Sequence, residues 1–262
     1  MRALSTAATG MMAMELNVQV IANNLANMTT TGYKRQRAEF QDLLYDHVSR
    51  IGTQTSAQGN ILPVGIDLGS GVKSVGTPRL MTQGTLTQTG ASLDIAIRGD
   101  GFFKVQLPDG TYAYTRDGSF QMDATGRIVT AKGNVVQPTI TIPQNSTGLT
   151  INAQGQVSVM PQGSTTPTIL GQLTLTRFIN QAGLLPIGDN MYTETPASGT
   201  PQDGNPGTDG AGDLLQASLE QSNVDSVTEI TNLIAAQRAY EMNSKVITAA
   251  DQMLQSTSNL MR

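Results

Sequence analysis

The chain has 262 residues, enough for one large domain or two small ones, and a formal net charge of −4. Only 38% of its residues are hydrophobic and 4% are aromatic, with no Trp, which limits a large enclosed core and disfavours a compact enzyme. The net charge gives no general attraction to nucleic acid or anionic membranes. The absence of Cys excludes disulfides, thiol chemistry and Cys-based zinc sites.

Residues 3–27 are predicted to form a long amphipathic helix, because apolar side chains recur in steps of three and four, the a/d spacing of a coiled-coil seam. Gly10 destabilises such a helix by about 1 kcal/mol relative to Ala, so the helix depends on packing partners. Three Thr and Gly32 predict its end within residues 27–32. The predicted seam residues are Leu4, Ala7, Met11, Met14, Val18, Ile21 and Leu25.

Residues 49–76 differ in composition from the helix before them. Six Gly, one Pro and scattered Ile, Leu and Val indicate an extended or hairpin-like segment. Composition leaves two alternatives open: a loose connection, or an arm that lies on neighbouring subunits. The residues that would make the contacts of such an arm are Ile51, Ile61, Leu62, Pro63 and Ile66.

Strand signals are frequent from about residue 77 to residue 200. Apolar and polar residues alternate, as at Leu93, Ile95 and Ile97, and turn signals recur about every eight residues. This pattern predicts an antiparallel sandwich or barrel. The segment Gly99-Asp100-Gly101 lies between two strand candidates, so we interpret it as a hairpin turn and not as a nucleotide-binding loop.

Residues 224–260 are predicted to form a second long helix, with Ser222 or Asn223 as its N-cap. Its apolar stripe is too wide for one partner, which indicates contact with more than one helix. The predicted seam residues, spaced by seven, are Leu233, Tyr240, Ile247, Leu254 and Met261. A neighbouring row contains Ala236, Ala239, Val246, Ala250, Met253 and Leu260.

The predicted fold class is α+β, with long N- and C-terminal helices that form a coiled-coil domain and an all-β antiparallel domain inserted between them. Residues 1–30 and 221–262 are assigned to the helical domain, residues 31–76 and 205–220 to an extended linker or arm, and residues 77–204 to the β-rich domain.

No catalytic, cofactor-binding or metal-binding residue is predicted. The single His, His47, excludes catalytic triads and zinc sites that need several His. Most acidic residues fall in turns or on helix faces such as Glu229, where local roles explain them. The short basic run of Lys34, Arg35 and Arg37 is interpreted as a solvated face and not as a nucleic-acid site.

Several motifs resemble the bacterial flagellar rod and hook protein family. They occur in the right order along nearly the whole chain, at Ala22–Asn27, Thr31–Lys34, Gly99–Phe103, Tyr114–Phe120 and Ala236–Glu241. The terminal motif residues are Asn23, Asn24, Leu25, Asn27, Gly32, Tyr33, Lys34, Gln237, Arg238 and Tyr240.

Within that family, the chain length, the motif in residues 34–45 and the Gly-rich residues 49–76 look most like a distal rod subunit. The resemblance implies a non-enzymatic subunit that polymerises helically into a hollow, straight drive shaft and transmits torque to the hook. The terminal helices would line the inner tube, and the β-domain would face outward.

The resemblance also implies a location and partners. The rod spans the periplasm to the outer membrane within the flagellar basal body. The implied partners are further copies of the chain, the proximal rod proteins, the hook protein or its base, the P and L ring proteins, a rod-cap muramidase and the flagellar type III export apparatus. No cofactor and no nucleic acid are expected.

Three alternatives remain open. A proximal rod or hook subunit of the same family shares most of the motifs. A peptidoglycan-acting β-domain enzyme with coiled-coil tails is the second alternative. Such an enzyme would use a pair of carboxylates, and the distance between two carboxylates depends on the three-dimensional structure, so the sequence does not exclude it. A β-binding module with dimerising helices would form a fixed dimer and not a growing tube.

Overall fold

The computed structural model describes residues 2–49, 64–162 and 166–260. Ile51, Ile61, Leu62, Pro63 and Met261 therefore lie outside the described residues. A helix stands at each end of the described chain, with mostly antiparallel β-structure between them, which confirms the α+β prediction.

The chain separates into two compact units. The helical unit is drawn from Met1–Leu25, Gln36–Pro78 and Asp225–Arg262. The β unit comprises Ala26–Arg35 and Arg79–Val224. Residues 205–220, which the sequence analysis assigned to a linker, belong to the β unit because strands in this segment pair with two of its other strands.

The terminal helices are α1 (Arg2–Ala26) and α2 (Ser226–Leu260). At 1.5 Å per residue they are about 37 Å and 52 Å long. After α1 the chain turns, and Gly32 takes the left-handed conformation at a φ of 68°. Neither described helix carries an apolar stretch long enough to cross a lipid bilayer.

The predicted N-cap of α2 is wrong. The helix begins at Ser226, and the Asp225 carboxylate caps it by accepting the backbone N–H of Val227 at 3.1 Å. Asn223 is not available as a cap, because its Oδ1 accepts the N–H of Arg35 at 2.7 Å and its Nδ2 donates to the carbonyl oxygens of Leu80 and Thr82.

The helical unit also contains two antiparallel ribbons of two strands each. Strand β1 (Glu39–Asp42) pairs with β4 (Val72–Gly76), and β2 (Tyr45–Ser49) pairs with β3 (Ile66–Gly69). His47 lies on β2 and its Nδ1 is 2.6 Å from Oδ1 of Asp67, the residue opposite it. Nearly all side chains of β2 and β3 are exposed, which is unusual for a stable two-stranded ribbon in water.

The β unit is built around one large sheet. Its strand order is β16-β17-β8-β7-β11-β10-β9, and β15 pairs with both β7 and β18. A separate sheet has the order β12-β13-β14, and the pairs β6–β19 and β5–β20 complete the unit. In chain order these strands are β5 (Leu86–Gln88), β6 (Ile95–Arg98), β7 (Phe102–Gln106), β8 (Tyr112–Thr115), β9 (Gln121–Met122), β10 (Ile128–Val129), β11 (Val135–Gln137), β12 (Ser146–Ile151), β13 (Gln156–Pro161), β14 (Thr168–Gln172), β15 (Leu175–Arg177), β16 (Leu185–Gly188), β17 (Met191–Thr193), β18 (Gln202–Gly204), β19 (Asp213–Gln216) and β20 (Ser218–Glu220).

Strand β7 is buried on both faces, and this divides the core of the β unit into two clusters. Phe103 packs edge-on against Phe120, with ring centroids 5.0 Å apart, in the larger aliphatic cluster. Phe102 faces the other way and packs edge-on against Phe178 and Tyr192. A chain with few aromatic residues thus places most of its Phe on the two sides of one strand.

The prediction of a hairpin turn at residues 99–101 is wrong. Strand β6 pairs with β19, whereas β7 pairs with β8, β11 and β15, so this turn links strands that do not pair with each other. Gly99 and Gly101 both have positive φ, and the carbonyl of Asp100 accepts the N–H of Gly212 at 2.7 Å. The three residues therefore carry the chain from one strand pair into the large sheet.

Tyr114 in this core makes the β unit sensitive to alkaline pH. Burial is the largest cause that raises the pKa of the Tyr114 phenol from 10.0 to about 12. The unfolded chain therefore releases this proton first, and the free energy of unfolding falls as pH rises from 10 towards 12. We expect Tyr114→Phe to lose less stability over that pH window, in chemical denaturation followed by circular dichroism. Tyr112→Phe, at a half-exposed position, is the control, and equal losses in both variants would contradict the assignment.

Candidate functional site

Helices α1 and α2 run antiparallel within the helical unit. Asn24, near the end of α1, donates through Nδ2 to Oε2 of Glu229, near the start of α2, at 3.3 Å. Gly10, in the first half of α1, lies against Asn243 in the second half of α2, where an added Cβ would be 2.9 Å from the Asn243 Nδ2. The close approach at Asn243 accounts for a Gly inside a helix, where it otherwise costs stability.

The face on which the two helices meet combines small residues with Val20, Ile21, Asn24 and Glu229, which are also buried. Ala7 and Ala13 on α1 and Ala236 and Ala250 on α2 are buried. The residues of α2 that face α1 recur every seven positions. We call these four residues the inner row: Glu229, Ala236, Asn243 and Ala250. Gly10 and Ala236 are the positions at which a small residue lets the partner helix come close.

The predicted seam coincides only in part with the buried face. Ala7 and Ile21 are buried, whereas Tyr240 and Leu254 are each 44% exposed. Met261 is outside the described residues. The half-buried seam residues are Leu4, Met11, Met14, Val18, Leu25, Leu233 and Ile247. Their role in assembly remains a prediction.

Several large apolar side chains of α2 lie outside the inner row and are exposed. At 100° per residue, Val227, Ile230, Ile234 and Met242 lie about 100° or more from the neighbouring inner-row residue, whereas Val246 and Met253 lie within about 60° of Ala250. All are at least 45% exposed. We call this set the outer row: Val227, Ile230, Ile234, Met242, Val246 and Met253. A protein surface usually does not expose this many neighbouring large apolar side chains unless it is a contact site.

The last turns of α2 have no counterpart on α1. By the register of the two contacts above, Arg2 at the start of α1 faces Asp251. The side chains of residues 251–259 are all exposed. Within the described chain, nothing covers Met253 and Leu254 in this overhang, which therefore adds to the apolar surface of the helical unit.

The β unit contains a fully buried group of charges, which we call the buried cluster. Lys34 Nζ lies 2.6 Å from Glu220 Oε1, and Arg116 Nη1 lies 3.3 Å from Glu220 Oε2. Lys34 also donates to the Thr82 carbonyl at 2.9 Å. Burial, as the largest cause, lowers the pKa of both Lys34 and Arg116. The interpretation of the basic run as a solvated face is therefore wrong for Lys34.

The buried cluster joins the segments through which the chain enters and leaves the β unit. Gly84 N–H donates to Glu220 Oε1 at 2.8 Å, and Gly32 N–H donates to the Glu220 carbonyl at 2.8 Å. Nearby, Arg35 N–H donates to Asn223 Oδ1 at 2.7 Å. One carboxylate and one amide therefore hold residues 32–35, 80–84 and 220–223 together.

Other residues of the N-terminal motif have structural roles as well. Asn24 Nδ2 donates to the Gln36 carbonyl at 2.8 Å, and Gln36 N–H donates to Asn24 Oδ1 at 2.9 Å. A Cβ on Gly32 would lie 2.9 Å from the backbone of Arg116, so only Gly fits. The Tyr33 ring is buried and lies 5.9 Å from the Arg79 guanidinium, a cation–π contact.

The remaining motif residues lie in other environments. Asn27 Oδ1 accepts the Thr30 hydroxyl at 3.2 Å, in the turn that follows α1. Asn23 lies on the exposed side of α1, and Gln237 and Arg238 lie on the exposed side of α2. These three motif residues lie on helix surfaces, whereas the buried motif residues shape the chain itself.

Sequence reasoning missed Glu220 as a central residue and assigned Glu229 to a helix face, although each is only 1% exposed. The partners of Glu220 lie 186 and 104 residues away in the chain, so no local pattern marks it. Among the described residues, no group of three or more His, Asp or Glu is arranged to hold a metal ion.

Three protein-family models match the chain. The model of flagella basal body rod proteins matches residues 4–34, which include α1 and the motif up to Lys34. The model of the flagellar hook protein FlgE/F/G D1 domain matches residues 96–159. The model of the flagellar basal body rod FlgEFG protein C-terminal region matches residues 215–260, which include Glu220 and α2.

Similar proteins extend these matches to the whole chain. Flagellar basal-body rod protein FlgG of Caulobacter vibrioides is 55% identical over 99% of both chains. FlgG of Buchnera aphidicola subsp. Acyrthosiphon pisum is 51% identical over 96% of both. FlgF of Caulobacter vibrioides is more distant, at 37% identity over 90% of this chain and 88% of its own length. The chain therefore belongs to the flagellar basal-body rod protein family, in which it is a structural subunit of the distal rod.

Proposed function

We propose that the chain polymerises with copies of itself into a hollow, straight drive shaft that crosses the periplasm, the peptidoglycan and the outer-membrane rings and transmits torque to the hook. In this assembly residues 1–30 and 221–262 form the inner tube and residues 77–204 face outward. The outer row carries the proposal, because it exposes six large apolar side chains on a helix that already packs against α1 through its inner row.

Burial of the outer row against a second copy provides the driving force. Complete burial of one Val, Ile or Met side chain contributes about 1.5–3 kcal/mol, and about half of that surface is still exposed here. Association of two subunits costs roughly 4–15 kcal/mol in lost freedom of motion. A single shared row therefore gives a weak dimer, whereas a lattice in which each subunit has several neighbours is stable.

The last turns of α2, which extend beyond the start of α1, also favour a second copy of the chain as the partner. Met253 and Leu254 extend the apolar surface beyond the start of α1, where the described chain offers no covering segment. A second copy offers apolar helix surface of the same kind in its own outer row. Continuity of the overhang with the outer row thus favours a lattice that grows along the helix axes.

The stiffness required of a drive shaft follows from close packing. The inner row packs α2 against α1, with Ala236 and Ala250 buried and Asn243 in close contact with Gly10. Interiors packed at the density of organic crystals resist shear. Once the outer rows are buried, the tube wall becomes such an interior, and torque is carried by interlocked side chains.

We propose further that residues 49–76 act as an arm that crosslinks subunits. In the described part of this segment, Ile66 on β3 is 55% exposed, and Leu68 and Val75 are exposed as well. Ile51, Ile61, Leu62 and Pro63, which lie outside the described residues, are the other apolar residues assigned to the proposed arm. Deletion of part of residues 49–76 should produce a curved or mechanically soft rod in electron micrographs, and an unchanged straight rod would refute the arm.

The proposed partners are those of a rod subunit: the proximal rod proteins, the hook protein or its base, the P and L ring proteins, a rod-cap muramidase and the type III export apparatus. We propose that the chain has no catalytic role, no cofactor and no nucleic-acid partner. Turnover of cell-wall material by the purified protein would contradict the first of these statements.

The double substitution Ile230→Asp and Ile234→Asp tests the outer row directly. Both side chains are about half exposed, so the variant should keep its helix content while two charges block burial against a second copy. We expect tubes of the native protein in negative-stain electron microscopy, with helices on the inside, and only monomers of the variant.

The matched control places the same charges at exposed apolar positions of the β unit, Met122→Asp and Ile169→Asp. We expect this control to form tubes like those of the native protein. Normal tubes from the variant with charges at Ile230 and Ile234 would contradict the proposed contact, provided that circular dichroism shows equal helix content in both variants.

A further inference from the structure

We propose that Met242 and Met253 are an oxidation site through which peroxides prevent assembly of free subunits. The inference rests on the proposed function, because its consequence is a loss of self-association. The modification is oxidation of two exposed thioethers of the outer row, which do not pack inside the chain.

The sulfur chemistry of this chain is confined to thioethers. The sequence contains 12 Met and no Cys, so no thiol competes for an oxidant. Met242 and Met253 are 60% and 63% exposed, whereas Met191 in the β unit is only 7% exposed. Since oxidation follows exposure, the first two should react well before Met191.

The two residues occupy one line on α2. Eleven residues separate them, which corresponds to about three helical turns and about 16 Å along the axis. Val246 lies between them and is also exposed, so the three side chains form the second half of the outer row. Oxidation of both Met residues would therefore alter two of the six side chains of the proposed contact surface.

The reaction is a two-electron oxygen transfer. The thioether sulfur attacks one oxygen of hydrogen peroxide, the O–O bond breaks and an S–O bond forms. The sulfur is oxidised to the sulfoxide, and the peroxide is reduced to water. The product side chain is polar and accepts hydrogen bonds, so it no longer fits an apolar contact.

Assembly should protect the same residues from peroxide. A thioether covered by a neighbouring copy loses the exposure on which oxidation depends. Free subunits are then sensitive and assembled rods are resistant, so the rate of sulfoxide formation also reports whether the outer row is covered.

The test treats the full-length chain with hydrogen peroxide and measures sulfoxide at each Met by peptide mass spectrometry. Sedimentation then gives the critical concentration for polymerisation. We expect oxidation at Met242 and Met253 to raise that concentration about tenfold or more, which corresponds to about 1.4 kcal/mol. The same two residues should be protected when peroxide is added after polymerisation.

The variant Met242→Leu/Met253→Leu keeps the apolar surface and removes both reactive sulfurs. It should polymerise without treatment and remain insensitive to peroxide. The matched control, Met122→Leu/Met160→Leu, removes two exposed thioethers of the β unit and should stay as sensitive as the native chain. Circular dichroism before and after treatment checks that the helices remain folded.

Each other outcome overturns one statement. Oxidised native chain that polymerises at the untreated concentration refutes the oxidation site but leaves the proposed function intact. Loss of polymerisation in the peroxide-treated double Leu variant assigns the effect to other Met residues and also refutes the site. Untreated native chain that stays monomeric at every concentration refutes the proposed function itself.

Discussion

Glu220→Gln should lower the free energy of unfolding of the β unit by about 3–5 kcal/mol, the range for removing one partner of a buried ion pair. Lys34 and Arg116 share this one carboxylate, and none of the three side chains is more than 1% exposed. Without the negative charge, two cations remain in a site that water does not reach. Because the Gly84 N–H also donates to Glu220 Oε1, the substitution disturbs the neighbouring backbone as well.

Urea denaturation followed by circular dichroism measures this effect, with Lys132→Gln as the matched control. Lys132 Nζ lies 2.6 Å from Asp189 Oδ2, as close as Lys34 is to Glu220, but its side chain is 63% exposed. An exposed pair contributes about 0–1 kcal/mol, so the control should stay close to the native stability. Equal small losses of unfolding free energy in both variants would show that the buried ion pairs contribute no more to stability than an exposed pair.

A second substitution at the partner residue separates charge from shape. In Glu220→Gln/Lys34→Met one of the two buried cations is gone, so the double variant should recover part of the stability lost in Glu220→Gln. Further loss in the double variant would indicate that the Lys34 bond to the Thr82 carbonyl is the larger contribution.

Gly118→Ala should destabilise the β unit by about 3 kcal/mol or more, at the upper end of the range for overpacking. A Cβ at this position would lie 1.7 Å from the carbonyl oxygen of Ile95, a backbone atom that no rotamer change can move away. The backbone must shift, and the bonds from the Ile95 and Phe120 N–H groups to the Gly118 carbonyl would then be strained.

Gly204→Ala is the matched control in the same unit. Nothing lies within 4 Å of a Cβ at Gly204, which has no positive φ, so the change should be close to neutral. Thermal unfolding measures both variants. A Gly118→Ala protein with the native melting temperature would mean that the segment after β8 does not pack as tightly against β6 as the structure shows.

These two predictions concern the fold that a rod subunit must keep under load. The buried cluster holds three separate chain segments together, and Gly118 lets the turn after Arg116 pack on β6. Buried polar groups add little net stability compared with apolar residues of the same size. We therefore interpret the buried cluster as a means of fixing one arrangement of these segments.

Local patterns in the sequence were sufficient to place the long elements. Apolar spacing of three and four residues predicted helices over residues 3–27 and 224–260, within two residues of the bounds of α1 and α2. Period-two alternation and regular turns predicted the antiparallel β-structure. Both patterns arise from the geometry of one helix or one strand, so they can be recognised without knowledge of distant contacts.

Local patterns could not show which face of a helix meets which partner. The predicted seam followed the large apolar side chains, whereas the inner row of Ala and polar residues forms the contact within the chain and the outer row stays exposed. Both arrangements satisfy the same periodicity. The choice depends on the close approach at Gly10 and Asn243, which only the packing of two distant segments reveals.

The same limit explains the errors at single residues. Lys34 belongs to a basic run and was expected in solvent, yet Glu220 supplies its counter-charge from the other end of the β unit. Asp225 caps α2 because Asn223 is held by the segment around Leu80. Composition and periodicity determine the elements and the family of this chain, whereas long-range contacts determine which of its polar residues are buried and which of its apolar residues are left for a neighbour.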